Sequence, residues 1–579
     1  MRVLLLLAAL LAPLTGQEFD SHVREMVSVP MRDGVALATD VYRPARGGVA
    51  VTGRFPVLVA RSPYNKEGER SKAEFFARRG YVFVAQDCRG FFSSPGRFEP
   101  MVHEGADGFD TIAWAAAQPW SNGRVGTLGA SYLALVQFAA MVERPPHLQA
   151  VYAAVGPTNY YAQGVRRGGI PGSGSQVWVL NAAARRTKDP QLRKRLEAIV
   201  EDPRQWLLLP LKDRLEVFGA MEHHREALRR QMLHSTFDDY WRRPGYWPAG
   251  YFKRMKDVPV LLAGGWYDSF ASATLELHRE LARLGNAPKR LLMGPWPHAY
   301  GKRECGEAEF PAPAELDERA LQLAWFGRWL KDEPAEDPPT VRYFLMGGGA
   351  GRAGQGIEPG GEWRESSGWP PAGARRLELF PAADGQLARS APRDQAAVTY
   401  QFDPGNPPPT RGGLFRNGCI VDLDAGPARE DVIHFATPPL DQPVTLAGPI
   451  EAELEVSTSA RDADFIARLV DVWPDGYAMP VAEGAIRLSR LGVDGAGSSV
   501  TPGRRYRVTI ALGSTALRLP AGHRLRLDIS SGSFPALEPN QGTGEPVSAA
   551  TKFTVAHQTV HTGGRRPTRL VLTVLPDGE

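Results

Sequence analysis

Three residues, in one chain order, have the types needed for nucleophilic acyl transfer. The first is Ser131, within Gly129-Ala130-Ser131-Tyr132-Leu133-Ala134. A serine hydroxyl attacks poorly until a base takes its proton, and the base needs a third group to orient it. The hexapeptide follows the apolar run Arg124–Gly129 and precedes a helical stretch, Tyr132–Glu143. Strand, tight turn and helix form the setting in which a serine is held on a strained elbow. Such a turn wants small residues on both sides. Gly129 supplies one two places before the serine. Leu133 stands two places after it, so the strict G-x-S-x-G pattern is missed. Taken alone, the hexapeptide fits a helix-capping serine equally well.

The partners come later. Val258–Gly264 runs into Gly265-Trp266-Tyr267-Asp268, and Arg290–Gly294 runs into Pro295-Trp296-Pro297-His298. Asp268 and His298 each follow the carboxyl end of an apolar strand. In a parallel sheet that is the edge where Ser131 must also lie. The order Ser, Asp, His is the one that open α/β sheets use for a triad. Together, the three residues outweigh the reading of each as a cap or a surface side chain. Trp266, Tyr267 and Phe270 stand close enough to the aspartate to line a substrate pocket, with ordinary packing an equal reading for the first two. No HExxH helix and no CxxC pair occurs, so neither a metal nor an organic cofactor is expected.

The elements that would position these residues are legible. Phe55–Arg61, Tyr81–Asp87, Arg124–Gly129 and Leu148–Val155 are continuous apolar runs. Helical stretches at Ser71–Arg79 and Glu104–Gln118 separate them, which predicts a buried, mostly parallel sheet. Residues 157–252 are charged and helical in period, with helices over Asp189–Glu201 and Asp213–Leu233. They read as a helical cap inserted between two core parts, 17–156 and 253–340, the second closed by a helix at Leu316–Lys331. Residues 341–579 are short alternating segments between Gly, Pro and Asp turns, an all-β sandwich or jelly roll.

Composition bounds the partners. The 579 residues hold 68 Lys+Arg against 64 Asp+Glu, a net +4 without a long basic run. That excludes the electrostatic footprint of a nucleic-acid binder. Cys88, Cys305 and Cys419 are an odd number at wide spacings, which predicts unpaired thiols. Arg2, the apolar stretch Val3–Leu14 and the small residues before Gln17 predict a signal peptide over residues 1–16. The expectation is a secreted or periplasmic protein with no membrane span after processing.

Beyond these motifs the chain resembles the cocaine-esterase (CocE/NonD) and X-Pro dipeptidyl-peptidase group of α/β hydrolases. That group also contains α-amino-acid ester hydrolases and glutaryl cephalosporin acylases. Its elbow is G-x-S-Y-x-G, matched here except for Ala134. The likeness extends to Met31-Arg32-Asp33-Gly34, Asp40-Val41-Tyr42-Arg43-Pro44, Arg61-Ser62-Pro63-Tyr64, Gln86-Asp87-Cys88-Arg89-Gly90 and Gln118-Pro119-Trp120-Ser121. It reaches the β domain at Asp464-Phe465, Asp475-Gly476 and Ala521-Gly522-His523-Arg524. The resemblance implies an α/β-hydrolase core with an inserted cap and a C-terminal jelly roll. It also implies an oxyanion hole made by the Tyr64 hydroxyl and the Tyr132 N–H.

The aminoacyl-ester branch places carboxylates two and three residues after the triad aspartate. Phe270 and Ala271 stand there instead. In the cap, Glu222 or Asp238 could supply an acid for a free amine, but both read first as solvated helix faces. Arg166 and Arg167 could meet a carboxylate such as glutaryl, but read first as solvated surface. The expected activity is a Ser-His-Asp hydrolase acting through an acyl-enzyme on a small ester whose acyl or aryl group is uncharged and apolar, with amides as a second substrate class. An X-Pro dipeptidyl-peptidase, or a glutaryl or β-lactam acylase, is the alternative. A non-catalytic glycan-binding protein is the remote one. Whether the chain forms a homo-oligomer is left open.

Overall fold

The computed structural model describes residues 18–334, 336–349, 351–353, 356–415, 418–491, 497–545 and 552–576. The predicted signal segment lies outside them. The first strands are Ser21–Pro30 (β1), Ala36–Arg46 (β2), Phe55–Ser62 (β3), Val82–Asp87 (β4), Ser121–Ala130 (β5) and Leu148–Ala154 (β6). Val260–Gly265 (β7), Lys289–Gly294 (β8) and Val341–Gly347 (β9) complete the core sheet. Its spatial order is β1-β2-β4-β3-β5-β6-β7-β8-β9, parallel from β4 onward. All of β4 is buried, because helices cover both faces of the sheet and leave no polar side to alternate with.

Two strands carried no apolar run. β1 is mostly half-exposed, and β1 and β2 form an antiparallel edge pair from Ser21↔Ala45 to Pro30↔Ala36. An edge strand open to solvent tolerates charges, so its sequence does not read as core.

The flanking helices include Arg70–Ala77 (α1), Glu104–Ala117 (α2) and Tyr132–Glu143 (α3). The cap contributes Ser173–Arg186 (α4), Pro190–Glu201 (α5), Leu211–Glu216 (α6) and Glu222–Leu233 (α7). The single helix expected over Asp213–Leu233 is therefore two. The chain breaks at Gly219, whose φ of +49° is left-handed and ends a right-handed helix. Ala271–Leu281 (α8) and Glu318–Lys331 (α9) follow in the core.

The C-terminal region is all β, as its alternation predicts. One antiparallel layer is built on Val444–Thr458 and Tyr506–Leu519, and the other has Arg524–Ser530 and Asp464–Val472 at its centre. This domain is joined to the core by hydrogen bonds rather than tethered to it. β9 pairs in parallel with the Tyr506–Leu519 strand at Met346↔Leu517. From the cap, the Arg214 guanidinium grips both oxygens of Glu538 at 2.8 and 2.9 Å, with both side chains buried. Core and cap are thus each tied to the β domain.

The expectation of unpaired cysteines fails for two of the three. Cys305 and Cys419 form a disulfide with a Cα–Cα distance of 5.2 Å. Their 114-residue separation hid the pairing, because the β domain folds back until Glu307 N–H donates to the Ile420 carbonyl beside them. Cys88 is free and buried.

Candidate active site

Ser131 adopts φ 60° and ψ −120°, outside the helical region, and α3 begins at the next residue. The serine makes no side-chain cap bond to that helix, so the capping reading is set aside. Its N–H donates to the Ala154 carbonyl at 2.9 Å, which ties the elbow to β6. The missing glycine after the serine is compensated before it. Gly129 has φ +148°, and a Cβ there would lie 2.4 Å from the Leu133 Cβ. A leucine fits after this serine because nothing projects from position 129.

β7 and β8 are neighbours, with Gly265 paired to Gly294, so the turns that follow them leave the sheet side by side. One turn carries Asp268 and the other His298. The imidazole bridges the other two residues. Its Nδ1 lies 2.9 Å from Asp268 Oδ1 and its Nε2 3.0 Å from Ser131 Oγ. A carboxylate only accepts, so Nδ1 carries the proton and Nε2 accepts from the serine hydroxyl. Asp268 is fully buried, whereas the His298 side chain is 26% exposed. The relay is anchored inside and open at its serine end.

Tyr64 sits on the loop after β3. Its side chain lines the cleft beside Ser131 and Trp178, and both of these favour its ionised form. Burial raises the tyrosine's pKa above its ordinary value, against the opposing pull of those two contacts, and so keeps it protonated. The loop is held from below. Lys66 N–H donates to Asp87 Oδ1 at 2.7 Å, and Lys66 Nζ donates to the buried Asp40 at 3.0 Å. Asp40 and Asp87, conspicuous in the sequence, therefore support the tyrosine rather than face the cleft.

Tyr132 points its ring away from the serine. Its hydroxyl donates to Glu104 Oε1 at 2.8 Å and accepts from Met101 N–H at 2.7 Å, while Glu104 is ion-paired to the buried Arg61 at 2.8 Å. The ring stacks on Trp178 at 5.7 Å. As the first helical residue, Tyr132 has a backbone N–H without an intrahelical acceptor, beside Ser131. Trp178 was not singled out from the sequence. A tryptophan among several in a helical cap gives no sign of which one will face the serine.

These groups open onto a cleft of about 310 Å³. The core lines it with Tyr64 and Phe270, the cap with Tyr160 and Trp178, and the β domain with Phe415 and Ala536. Phe270 packs edge-on to the His298 ring at 5.5 Å. Trp266 and Tyr267 do not line the cleft, which corrects the pocket reading for both. They are buried behind it, the indole donating to the Phe344 carbonyl and the phenol to the Pro480 carbonyl. The indole thus reaches β9 of the core sheet and the phenol reaches the β domain. Glu222 is 79% exposed and Asp238 pairs with His234, so neither reaches the cleft. Arg166 and Arg167 are not solvated as expected. Arg166 is buried and donates to the Met232 carbonyl at 2.7 Å, whereas Arg167 is half-buried and lines the cleft. Among the described residues, no cluster of His, Cys, Asp or Glu is arranged to hold a metal.

With this geometry in hand, the comparisons with known proteins are decisive for the family. Residues 33–300 match the X-Pro dipeptidyl-peptidase (S15 family) profile, and residues 334–571 match that of the X-Pro dipeptidyl-peptidase C-terminal non-catalytic domain. The cocaine esterase of Rhodococcus sp. (strain MB1 Bresler) is 30% identical over 96% of this chain and 98% of its own. The chain belongs to the cocaine-esterase-like (CocE/NonD) family of serine hydrolases. Solved structures repeat the fold of this family over nearly the whole length. An aminopeptidase from the marine sediment archaeon Thaumarchaeota archaeon superposes with a TM-score of 0.80 at 24% identity, covering 97% of each chain. An α-amino acid ester hydrolase does so at 0.80 and 22%, covering 96% of each. The CocE/NonD family combines the α/β core, the cap and the all-β domain seen here.

Proposed function

We propose that this chain is an exported esterase that works through an acyl-enzyme on Ser131. The observation that carries the reading is the bridge from Ser131 through His298 to Asp268, open to a cleft whose described lining contains no carboxylate. His298 Nε2 takes the serine proton as Oγ bonds to the ester carbonyl carbon. The negative charge that develops on the carbonyl oxygen is met by the Tyr64 O–H and the Tyr132 N–H. The tetrahedral species then expels the alcohol, which leaves with the proton held on Nε2. Water enters, gives a proton to the same nitrogen and attacks the acyl carbon; the acid departs and Ser131 regains its hydrogen. Asp268 keeps the imidazole in the productive tautomer and stabilises its positive charge.

Ester rather than peptide substrates follow from what the cleft lacks. Gripping the free amine of an α-amino ester or a peptide N-terminus calls for an acid, and no Asp or Glu lines the described wall. The relative named cocaine esterase supports the same choice. The Cys305–Cys419 disulfide and the N-terminal apolar segment support action outside the reducing cytosol.

The test is a rate comparison on an aryl butyrate, an Ala-Pro anilide and a phenylglycine ester. The butyrate should be cleaved fastest. A faster anilide would replace this reading with an X-Pro peptidase. Tyr64→Phe should lower kcat on the butyrate by roughly 10²–10³-fold with little change in KM, because the donor is aimed at charge that exists only in the transition state. Unchanged kcat in that variant would remove Tyr64 from the oxyanion hole.

A further inference from the structure

Arg167 is the one formally charged side chain among the described residues that line the cleft. It belongs to a tight hairpin, Arg166–Arg167 paired with Ile170–Pro171. The β domain fixes that hairpin. Arg487 N–H donates to the Gly168 carbonyl, and Gly172 bridges to Leu537. An arginine at a fixed place beside a nucleophile invites the question of what it is for. Among the described residues its one hydrogen bond is from Nη1 to the Ser269 carbonyl at 3.3 Å, and Phe415 lies under the guanidinium at 5.9 Å. It forms no ion pair among the described residues.

The acids whose charge it feels are Glu483 and Asp268, and both are engaged elsewhere. Glu483 accepts from Arg468 at 2.6 Å and from the Leu414 and Phe415 N–H groups. Asp268 holds His298. Burial lowers the Arg167 pKa from its ordinary value, a desolvation cost that Glu483 and Asp268 offset only in part. A guanidinium has five donors in a flat fork suited to a carboxylate, and most of this fork is unused.

Resting on the ester reading above, we propose that Arg167 is a specificity residue for esters that carry a carboxylate. The substrate class is then an ester with an apolar body, held by Trp178, Phe270 and Phe415, and one anionic end held by Arg167. The anion can sit on the acyl part or on the alcohol part, and the experiment separates the two.

In the first arm, the phenyl monoesters of glutarate and adipate are compared with phenyl pentanoate and hexanoate, corrected for spontaneous hydrolysis. In the second, the butyrate of 4-hydroxybenzoate is compared with that of 4-hydroxybenzamide. One anionic partner should show a kcat/KM about 10- to 100-fold above its neutral match, the size expected of a charge-assisted hydrogen bond. Arg167→Met should bring that ratio close to one, and Arg167→Lys should keep part of it, since lysine retains the charge without the fork. The preference should also shrink as salt is raised, a readout that needs no variant.

Neutral esters cleaved as fast as anionic ones in both arms by the unaltered enzyme would overturn the inference and leave the esterase standing. Equal losses on neutral and anionic esters in Arg167→Met would also overturn it, making Arg167 a positioning residue acting through Ser269 or Asp268. Cleavage of neither series would overturn the ester reading, and this inference with it.

Discussion

Ser131→Ala should abolish turnover, lowering kcat on aryl esters by roughly 10⁵–10⁶-fold while the protein stays folded. The size follows from its place in the relay. Removing the oxygen removes the atom that bonds to the acyl carbon, and His298 Nε2 loses the hydroxyl 3.0 Å away from which it takes a proton. The fold should survive because the elbow is held by main chain. Ser131 N–H donates to Ala154, the Ser131 carbonyl accepts from Ala134 and Leu135, and the hydroxyl caps nothing. The strained φ of 60° is no worse for alanine than for serine. Burst kinetics and an ester assay on the variant, with its thermal unfolding measured alongside, check both halves. Retained activity with an unaltered melting curve would move the nucleophile elsewhere.

The parts of this site that were legible in sequence are those fixed by backbone periodicity. Continuous apolar runs ending at Gly129, Gly264 and Gly294 located the edge of the sheet, and the three polar residues just beyond could then be listed without contacts. The direction of a side chain on an irregular turn was not legible. Trp266, Tyr267 and Phe270 lie within five residues of one another, yet only Phe270 turns toward His298. Contacts between distant segments were equally hidden. Phe415 and Ala536 reach the cleft from the β domain, and Trp178 reaches Tyr64 from the cap, through tertiary packing that no local pattern encodes. The same holds for the cysteine pair, whose spacing pointed away from a disulfide. Arg167 shows the limit most clearly. An arginine in a charged cap reads as solvated until the β domain is seen to clamp its hairpin and turn it inward.

The clamp also bears on the role of the β domain. It supplies part of the cleft wall, through Phe415 and Ala536, and it secures the cap through Glu538. Both contributions lie on the substrate side of the relay. The relay itself is made wholly by the core, from the ends of β5, β7 and β8. Changes in the β-domain wall should therefore act on which esters bind, whereas changes in the core relay act on every substrate alike.

Asp268→Asn isolates the least exposed member of that relay. It should lower kcat by about 10⁴-fold at neutral pH and leave KM nearly unchanged. The replacement is nearly isosteric, so the cause is electronic. The carboxylate only accepts, which forces the proton of neutral His298 onto Nδ1 and leaves Nε2 free to take the proton of Ser131. An amide can instead present its NH₂ to Nδ1. The imidazole then carries its proton on Nε2, facing the serine with a donor where an acceptor is needed. The variant also loses the negative charge that stabilises the imidazolium formed during attack. Packing should not suffer, because the turn is held by main-chain bonds from Asp268 N–H to Gly265 and from Ala271 N–H to Asp268, both 3.1 Å. Pre-steady-state acylation rates with an aryl ester, and ¹⁵N chemical shifts of the His298 ring in the two proteins, measure the rate and the tautomer separately. A large loss of kcat with Nδ1 still protonated would shift the explanation from tautomer to lost charge. An unchanged kcat would mean that Asp268 does not orient this histidine during turnover.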